Sequence, residues 1–382
     1  MKSYLFLFGR TPEMSWPELT VFFPQAQRLS QYCAKVDIAW EFDPQAFLKR
    51  IGGSLKIAEY IRLLPELGAA DFVELITSRN GQINFSINSV DSSFTINRQL
   101  LTTIKKMLTD QGYAVRFITP KHDLSLSSVV YSTNNVTEFL IHREQSGYGV
   151  YKTLVVQDFR FWQQIDYDRP YASAKSGMLP PKIAMMAVNI AAAGQTQDKS
   201  LLDPFCGMGT ILFGAMLANF KLVYGSDLDQ LTAIKAEKNV KWLTELYELI
   251  TKTKVFTSDA THVSDKLEKC SIDCIVTEPF MGPSKIGERK VDAHKVRNIA
   301  KGLSKLYIGC FRNWRILLKD GGCVVIAIPS FVIDDRIINV KSVVDSCEML
   351  GYTKLLGPIE YARPQAIVRR QFYLFTYKNP KH

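Results

Sequence analysis

Strand-like and helix-like segments alternate regularly in the second half of the chain, and this alternation limits the possible folds more than any other feature. Strands that alternate with helices form a parallel sheet covered on both faces. The last two apolar runs have no helix between them, so they should pair as a hairpin with one antiparallel strand. We predict a doubly wound α/β domain with a carboxy-terminal antiparallel hairpin. The runs read as strands are "KSLLDPF", "LVYGSDLD", "KVFTSDA", "IDCIVTEP", "GCVVIAIPS", "YTKLLGPIEY" and "RRQFYLFTYK".

The first half mixes the two kinds of segment without a glycine-rich turn, which predicts an α+β region. We expect a break inside it near "IGGSLKIAEY", residues 51–60. A clearer boundary is expected at residues 166–182, which are rich in Pro, Gly, Ser and charge. Among the segments read as strands are "FVELITS" and "SSVVYST".

The composition indicates a folded, basic protein of more than one domain. Its 382 residues exceed one typical domain, and a hydrophobic content of 47% is enough for sizeable cores. The formal net charge of +10 favours an anionic partner, and nucleic acid is the commonest such partner.

Several other kinds of protein are disfavoured. No stretch of about 18 apolar residues is present, so no membrane span is expected. The opening residues have too short an apolar run for a secretory signal. The cysteines form no C-x-x-C pair, and no histidine cluster accompanies Cys270 and Cys274, so neither a disulfide framework nor a metal site is expected. We therefore expect a cytoplasmic protein.

The motif "DPFCGMGT" lies where the first of the later strands meets a helix. Its two glycines allow the backbone to approach a ligand closely, and the helix presents free N–H groups. The spacing is not G-x-G-x-x-G, so a pyrophosphate is not the expected ligand. An aspartate and a short glycine turn suit an ammonium, a carboxylate and a sulfonium, the charges of S-adenosylmethionine. The predicted cofactor-binding residues here are Asp203, Pro204, Phe205, Cys206, Gly207, Gly209 and Thr210.

Two further acids follow the next two strands. Asp227 lies about 20 residues beyond the glycine turn, where a carboxylate can bind both ribose hydroxyls, and Leu228 follows it. Asp229 is the better candidate for capping the next helix. Asp259, with Ala260, ends the third strand, where a carboxylate can bind an adenine amine. A turn or cap is the alternative interpretation of Asp259.

Together these motifs resemble the THUMP-domain tRNA guanine-N2-methyltransferases that act near position ten of tRNA. The resemblance covers nearly the whole chain, and "DPFCGMGTIL" is its most specific part. It is also carried by "YLFLFGRTPEMSWPEL", "SGYGVYKTLVVQDF" and "DYDRPYASAKSGMLPPKIA".

The resemblance implies a domain order and further contacts. It implies that the THUMP domain binds the tRNA acceptor end and that Ser176, Gly177, Met178 and Pro181 flank the methionine part of the cofactor. Some relatives need a small partner subunit, and this need stays open. The implied order is a ferredoxin-like domain (1–58), a THUMP RNA-binding domain (59–162), a linker (163–180) and a class I, Rossmann-like methyltransferase domain (181–382).

The loop "TEPFMGP" after the fourth strand resembles the D-P-P-Y loop of enzymes that methylate an exocyclic amine of a base. That amine is a weak nucleophile, so hydrogen-bond acceptors must orient its lone pair. Glu278 can be such an acceptor, Pro279 stiffens the backbone and Phe280 can stack on a base turned out of its helix. Strictly positional alignment would place Met281 at the aromatic position. The alternative interpretation is a proline-bounded turn without a role in transfer.

Basic residues near these motifs are candidates for RNA phosphates, although a solvated surface is the simpler interpretation of any one of them. They follow the loop as Lys285, Arg289, Lys290, Lys295 and Arg297, and they return near the final hairpin as Arg363, Arg369 and Arg370.

The leading hypothesis is S-adenosylmethionine-dependent methyl transfer to the N2 amine of a guanosine in tRNA. A second hypothesis changes the substrate to an adenine or cytosine amine in RNA or DNA. A third is a tRNA-binding protein that has lost methyl transfer, and it is motivated by the altered loop alone.

Overall fold

The computed structural model describes residues 1–76, 82–91, 93–120, 124–172, 178–282, 292–333, 336–340, 342–362 and 366–379. The chain divides into two compact units, Met1–Phe161 and Trp162–His382. The division falls within helix α6, Phe159–Tyr167.

In the first unit, the described strands form one continuous sheet in the order β2-β3-β1-β4-β8-β7-β5-β6. Its strands are β1 (Lys2–Phe8), β2 (Gln27–Arg28), β3 (Cys33–Ile38), β4 (Ser54–Leu64), β5 (Gln82–Ser89), β6 (Ala114–Phe117), β7 (Thr137–Glu144) and β8 (Gly147–Val156). Its helices are α1 (Pro12–Phe22), α2 (Pro44–Arg50), α3 (Ala69–Leu75), α4 (Arg98–Asp110) and α5 (Ser128–Thr133). The predicted division at residue 58 lies inside β4 and stays a prediction, as does the linker 163–180.

Two strand predictions in this unit are wrong. "FVELITS" begins inside α3, where Phe72 is fully buried in the core and Gly68 precedes the first turn. "SSVVYST" contains α5, because the Ser127 side chain accepts a hydrogen bond from the Val130 N–H and caps a helix. Packing of Phe72 in α3 and the Ser127 cap in α5 outweigh the β-branched residues that suggested strands.

The second unit contains the predicted parallel sheet, in the order β11-β10-β9-β12-β13-β16-β15. β16 pairs antiparallel with both β13 and β15, so the predicted hairpin and its antiparallel strand are confirmed. The strands are β9 (Ser200–Asp203), β10 (Leu222–Asp227), β11 (Lys252–Thr257), β12 (Ile272–Thr277), β13 (Leu318–Ile333), β14 (Arg336–Asn339), β15 (Tyr352–Tyr361) and β16 (Val368–Tyr377). The helices are α7 (Pro181–Ala192), α8 (Thr210–Leu217), α9 (Gln230–Tyr247), α10 (Ala293–Leu317) and α11 (Ser342–Met349).

Helix α10 packs its apolar side onto the core of the second unit. Phe311 and Trp314 are fully buried there with Tyr307 and Tyr352. The interpretation of "FRNWRILLK" as a core segment rather than a set of RNA-stacking aromatics is therefore confirmed for these two rings.

A buried ion pair joins β4 to β7 in the first unit. Lys56 Nζ lies 2.6 Å from Glu138 Oε2, and both side chains are almost fully buried. The Asn88 amide, the Leu126 N–H and the Thr153 hydroxyl also donate to the Glu138 carboxylate. These donors satisfy a charge that would otherwise be costly to bury.

We expect Lys56→Met to destabilise the first unit by about 3–5 kcal/mol, because it leaves the Glu138 carboxylate buried without a cation. Urea unfolding followed by circular dichroism measures this loss. Lys2→Met is the matched control: it removes the exposed pair with Glu59 and should leave the unfolding midpoint unchanged. Equal midpoints for the two variants would contradict the importance of the buried pair.

Candidate active site

The carboxyl ends of adjacent parallel strands bring the predicted acids to one edge of the sheet. β9 ends at Asp203, β10 ends at Asp227, and Glu278 directly follows β12. β9 lies between β10 and β12, so the chain order reverses beside it. Ligands of open α/β sheets bind at such a reversal.

The turn after β9 is built for close approach to a ligand. Gly207 and Gly209 have φ angles of 51° and 87°, in the left-handed region that favours glycine. Space around Gly207 is open, since an added Cβ would meet no atom within 4 Å. Helix α8 begins directly afterwards at Thr210, with no side-chain cap on its first N–H groups. These groups are available to an anionic part of a ligand.

Asp203 is almost fully buried at the centre of this edge. Its Oδ1 accepts hydrogen bonds from the Thr277 hydroxyl at 2.7 Å and the Phe205 N–H at 3.1 Å. Burial raises the pKa of Asp203 to about 7, although these two bonds oppose the rise, and the charges of Asp227 and Glu278 add to it. A carboxylate in this position is ready to pair with a cation.

Asp227 fixes the glycine turn from the neighbouring strand. It accepts hydrogen bonds from the Gly207 N–H at 3.1 Å and the Asp229 N–H at 3.0 Å. Asp229 caps α9 through the N–H groups of Leu231 and Thr232, as predicted. Leu228, between the two acids, has 74% of its surface exposed, so it is available to a ligand.

Asp259 lies two residues beyond β11, at the same edge. Its side chain accepts hydrogen bonds from the N–H and the hydroxyl of Thr261, as the turn interpretation predicts. Ala260 is buried, and its carbonyl accepts a hydrogen bond from the Trp314 indole. This geometry is compatible with a turn role and leaves the adenine contact a prediction.

The loop after β12 is fixed by Arg370 and Tyr307, two contacts that sequence reasoning did not identify; it had proposed Arg370 for RNA phosphate, whereas the structure pairs it with Glu278. The Arg370 Nε donates a hydrogen bond to Glu278 Oε1, and both side chains are more than four-fifths buried. Burial raises the pKa of Glu278, and the Arg370 guanidinium opposes that rise. The Tyr307 hydroxyl donates to the Phe280 carbonyl at 2.6 Å.

These contacts distinguish the residues of the loop. Pro279 is buried, whereas Phe280 exposes 55% of its surface although its carbonyl is held by Tyr307. Met281 is half-buried. Phe280 is therefore the exposed aromatic ring of the loop, held on a fixed backbone, as base stacking requires.

A second group of contacts joins the segment before α7 to the glycine turn. Arg169 Nη1 donates to the Thr210 hydroxyl at 2.9 Å. The Asn239 side chain accepts from the Tyr171 N–H and donates to the carbonyls of Tyr171 and Met208. The segment that contains Arg169 and Tyr171 is therefore connected to both neighbours of Gly209, directly to Thr210 and through Asn239 to Met208. "DYDRPY" carried a boundary signal in the sequence, but nothing in it indicated these contacts.

The other predicted site residues are placed as follows. Met178 is half-buried, and Pro181 is buried at the start of α7. Cys206 and Thr210 are buried in the turn and at the start of α8. Arg297 is exposed on α10, while Arg369 pairs with Glu360 at 2.9 Å. The predicted residues outside the described part of the chain are Ser176, Gly177, Lys285, Arg289, Lys290 and Arg363.

Within the described residues, no group of three or more His, Cys, Asp or Glu side chains is placed to hold a metal ion. No helix in this part of the chain is both long and apolar enough to cross a membrane.

Comparisons with known proteins show what part of the second unit resembles. Residues 169–293 match the UPF0020 family model, described as an RMKL-like methyltransferase domain. The chain is 29% identical over 189 residues to a tRNA (guanine(10)-N2)-dimethyltransferase of Methanothermobacter thermautotrophicus, covering 48% of each chain. It is 30% identical over 191 residues to the enzyme so named in Methanocaldococcus jannaschii, covering 48% of this chain and 47% of that one. The chain thus spans about half the length of the curated relatives it matches.

Structural comparison shows a similar fold over nearly the whole chain. The crystal structure of TrmN from Thermus thermophilus superposes with a TM-score of 0.57 at 15% identity, covering 99% of this chain and 100% of that one. These comparisons confirm the family resemblance and the fold class that the motifs predicted. Residues 169–293 therefore resemble the methyltransferase domain of the UPF0020 family, and the fold of the chain is similar to that of TrmN.

Proposed function

We propose that the chain transfers a methyl group from S-adenosylmethionine to the N2 amine of a guanosine in tRNA. The observation that carries this proposal is the Glu278 carboxylate, which Arg370 holds at the end of β12 beside the exposed ring of Phe280. The names of the two curated relatives support the substrate. Because tRNA is the proposed substrate, we also propose that the protein is cytoplasmic.

The residues around β9 suit this cofactor. S-adenosylmethionine supplies an electrophilic methyl group on a sulfonium. Asp203 provides a buried carboxylate for the cationic methionine part, and the uncapped start of α8 provides N–H groups for its carboxylate. Asp227 can bind the ribose hydroxyls, because a carboxylate oxygen accepts more than one hydrogen bond.

The loop after β12 suits a guanine. Phe280 stacks on the flipped base, and Glu278 accepts hydrogen bonds from its N2 amine. Guanine carries protons on both N1 and N2, so an ionised carboxylate can accept from both. Adenine and cytosine present a ring acceptor beside their amine, which a carboxylate repels. Glu278 also receives the proton that the amine loses on methylation.

Incubating the purified chain with labelled S-adenosylmethionine and an unmodified tRNA transcript tests the proposal. We expect N2-methylguanosine or its dimethyl form, identified by mass spectrometry of the nucleosides. Transfer by the chain alone would also show that no activating subunit is required. Label found only in adenosine or cytidine, or in no RNA at all, would contradict the proposal.

Arg370 should control the pH dependence of transfer, since it stabilises the ionised form of Glu278. Arg370→Met removes this cation and raises the pKa of Glu278 further. As the pH is lowered, Glu278 is then protonated earlier, and activity falls at a higher pH than in the unaltered protein. We expect the acidic limb of kcat to move up by about one pH unit or more, and Arg370→Lys to restore part of the shift. Glu278→Gln should lower kcat by about 100-fold or more.

The control for these variants is cofactor affinity, measured by calorimetry, which none of them should change by more than about threefold. An unchanged pH profile in Arg370→Met would contradict this role of the guanidinium, and normal turnover by Glu278→Gln would contradict the role of the loop.

Asp203→Asn should separate cofactor affinity from stability. The raised pKa of Asp203, about 7, means that its protonated form favours folding below about pH 4 and that this benefit is lost as the pH rises through 7. The neutral amide does not ionise, so Asp203→Asn should stabilise the ligand-free protein at pH 8. The free energy of unfolding should rise by at most about 4 kcal/mol, and the Tm should rise with it. At or below about pH 4, where Asp203 is protonated in both the folded and the unfolded state, the two proteins should melt alike.

Affinity should move in the opposite direction. Unaltered protein should bind S-adenosylmethionine more tightly at pH 8 than at pH 6, because the ionised Asp203 pairs with the cationic ligand. Asp203→Asn should bind about 100-fold more weakly at pH 8 and show little pH dependence. Equal affinity of the two proteins at pH 8 would contradict the contact.

A further inference from the structure

Helix α10 carries an unusual concentration of positive charge. Its 25 residues, Ala293–Leu317, contain six Lys and Arg residues and no Asp or Glu. The whole chain of 382 residues has a formal net charge of +10. A single helix therefore supplies a large share of the excess positive charge.

Four of these residues lie on one side of the helix. With a turn of about 100° per residue, Arg297, Lys301, Lys305 and Arg312 fall within an arc of roughly 80°. All four are exposed, and the opposite side of α10 is buried in the core. We call these four residues the α10 basic face.

The α10 basic face is not neutralised by the protein around it. None of its members forms an ion pair with a described carboxylate. Mutual repulsion of like charges on a helix is unfavourable. The face is therefore arranged for an anion outside the chain, along a length of about 22 Å from Arg297 to Arg312.

The helix also connects this face to the transfer loop. Tyr307, on the opposite side of α10, donates its hydroxyl to the Phe280 carbonyl. Because one helix carries both groups, an anion bound on the α10 basic face has a fixed distance to the loop.

Gly302 gives an independent indication of a close partner. It lies in the middle of α10, next to Lys301, where glycine weakens a helix. An added Cβ there would meet no atom within 4 Å, so packing within the chain does not require glycine. A bare backbone beside the charges allows a ligand to approach closely.

We infer that the α10 basic face binds the phosphate backbone of a structured RNA while the loop after β12 holds the target base. That the polyanion is RNA rests on the proposed function; the anion-binding character of the face rests on the helix alone. A membrane surface is a poorer partner, because the apolar side of α10 is buried in the core rather than free to insert.

The test compares two triple variants with equal loss of charge. The first changes Lys301, Lys305 and Arg312 to Gln. The matched control changes Lys252, Lys354 and Lys378 to Gln. These control lysines are also exposed. They lie near the starts of β11 and β15 and the end of β16, at the end of the sheet opposite the glycine turn and the loop after β12.

The probe is an unmodified tRNA transcript, and its Kd is measured from 50 to 300 mM salt. For the α10 variant we expect the Kd at about 150 mM salt to rise at least tenfold, and the slope of log K against log salt to fall by about 2. KM for tRNA should rise in parallel, while S-adenosylmethionine affinity is retained. The control should change the Kd by less than about threefold.

A second variant avoids any loss of charge. Gly302→Gln adds a side chain beside the face and removes a helix-weakening glycine, so it should raise the Tm while weakening tRNA binding. Unchanged tRNA affinity in a more stable Gly302→Gln protein would contradict close approach at this position.

The outcomes separate this inference from the proposed function. Methyl transfer to tRNA with equal affinity losses in the two triple variants would overturn the inference and leave the function intact. Tight tRNA binding that is lost in the α10 variant, without any methyl transfer, would support the inference and overturn the function. Competition by poly-glutamate as effective as that by RNA would overturn the assignment of the face to a phosphate backbone.

Discussion

A buried carboxylate needs hydrogen-bond donors or a cation, and the ligand edge of the second sheet is organised by this requirement. Asp203 meets it with the Thr277 hydroxyl and the Phe205 N–H, and Glu278 meets it with Arg370. The two solutions have different consequences. Among the described residues no cation pairs with Asp203, and burial raises its pKa to about 7, so it favours a cationic ligand. Glu278 already has a cation and can direct its carboxylate at a neutral donor.

The first unit shows the same requirement met without a ligand. Glu138 is buried with Lys56 and three further donors, which leaves no need for an outside partner. The comparison separates a buried acid satisfied within the fold from the acids that we propose bind ligands. The donors to Glu138 come from three other strands of its sheet and from the Leu126 N–H. Asp203 and Glu278 instead lie at strand ends, beside an open glycine turn and an exposed aromatic ring.

Helix α10 links the two ends of the proposed reaction complex. Its buried side holds the loop through Tyr307, and its exposed side carries the α10 basic face. Phosphate contacts carry little information about base identity, but they fix the register of a bound RNA. In the proposed complex, the ring of Phe280 and the carboxylate of Glu278 then select the base. The proposed arrangement would divide affinity and selectivity between the two sides of a single helix.

The sequence alone determined the parallel sheet, its antiparallel hairpin and the positions of Asp203, Asp227, Asp259 and Glu278 at strand ends. It could do so because apolar period and turn residues are local signals. The cap by Asp229 and the core position of Trp314 were predictable for the same reason. The error in "FVELITS" arose where core packing outweighed β-branched residues, and the error in "SSVVYST" arose where a side-chain cap did so.

Tertiary structure alone decided which side chains meet. Glu278 and Arg370 are 92 residues apart in the chain, Lys56 and Glu138 are 82 apart, and Tyr307 lies 27 residues beyond Phe280. No periodicity or spacing reports such pairs, because they depend on which strands become neighbours and in which register. The sequence placed an acid after the fourth strand, and only the fold brought β16, which lies beyond β13 in the sheet, close enough to supply the arginine that pairs with it.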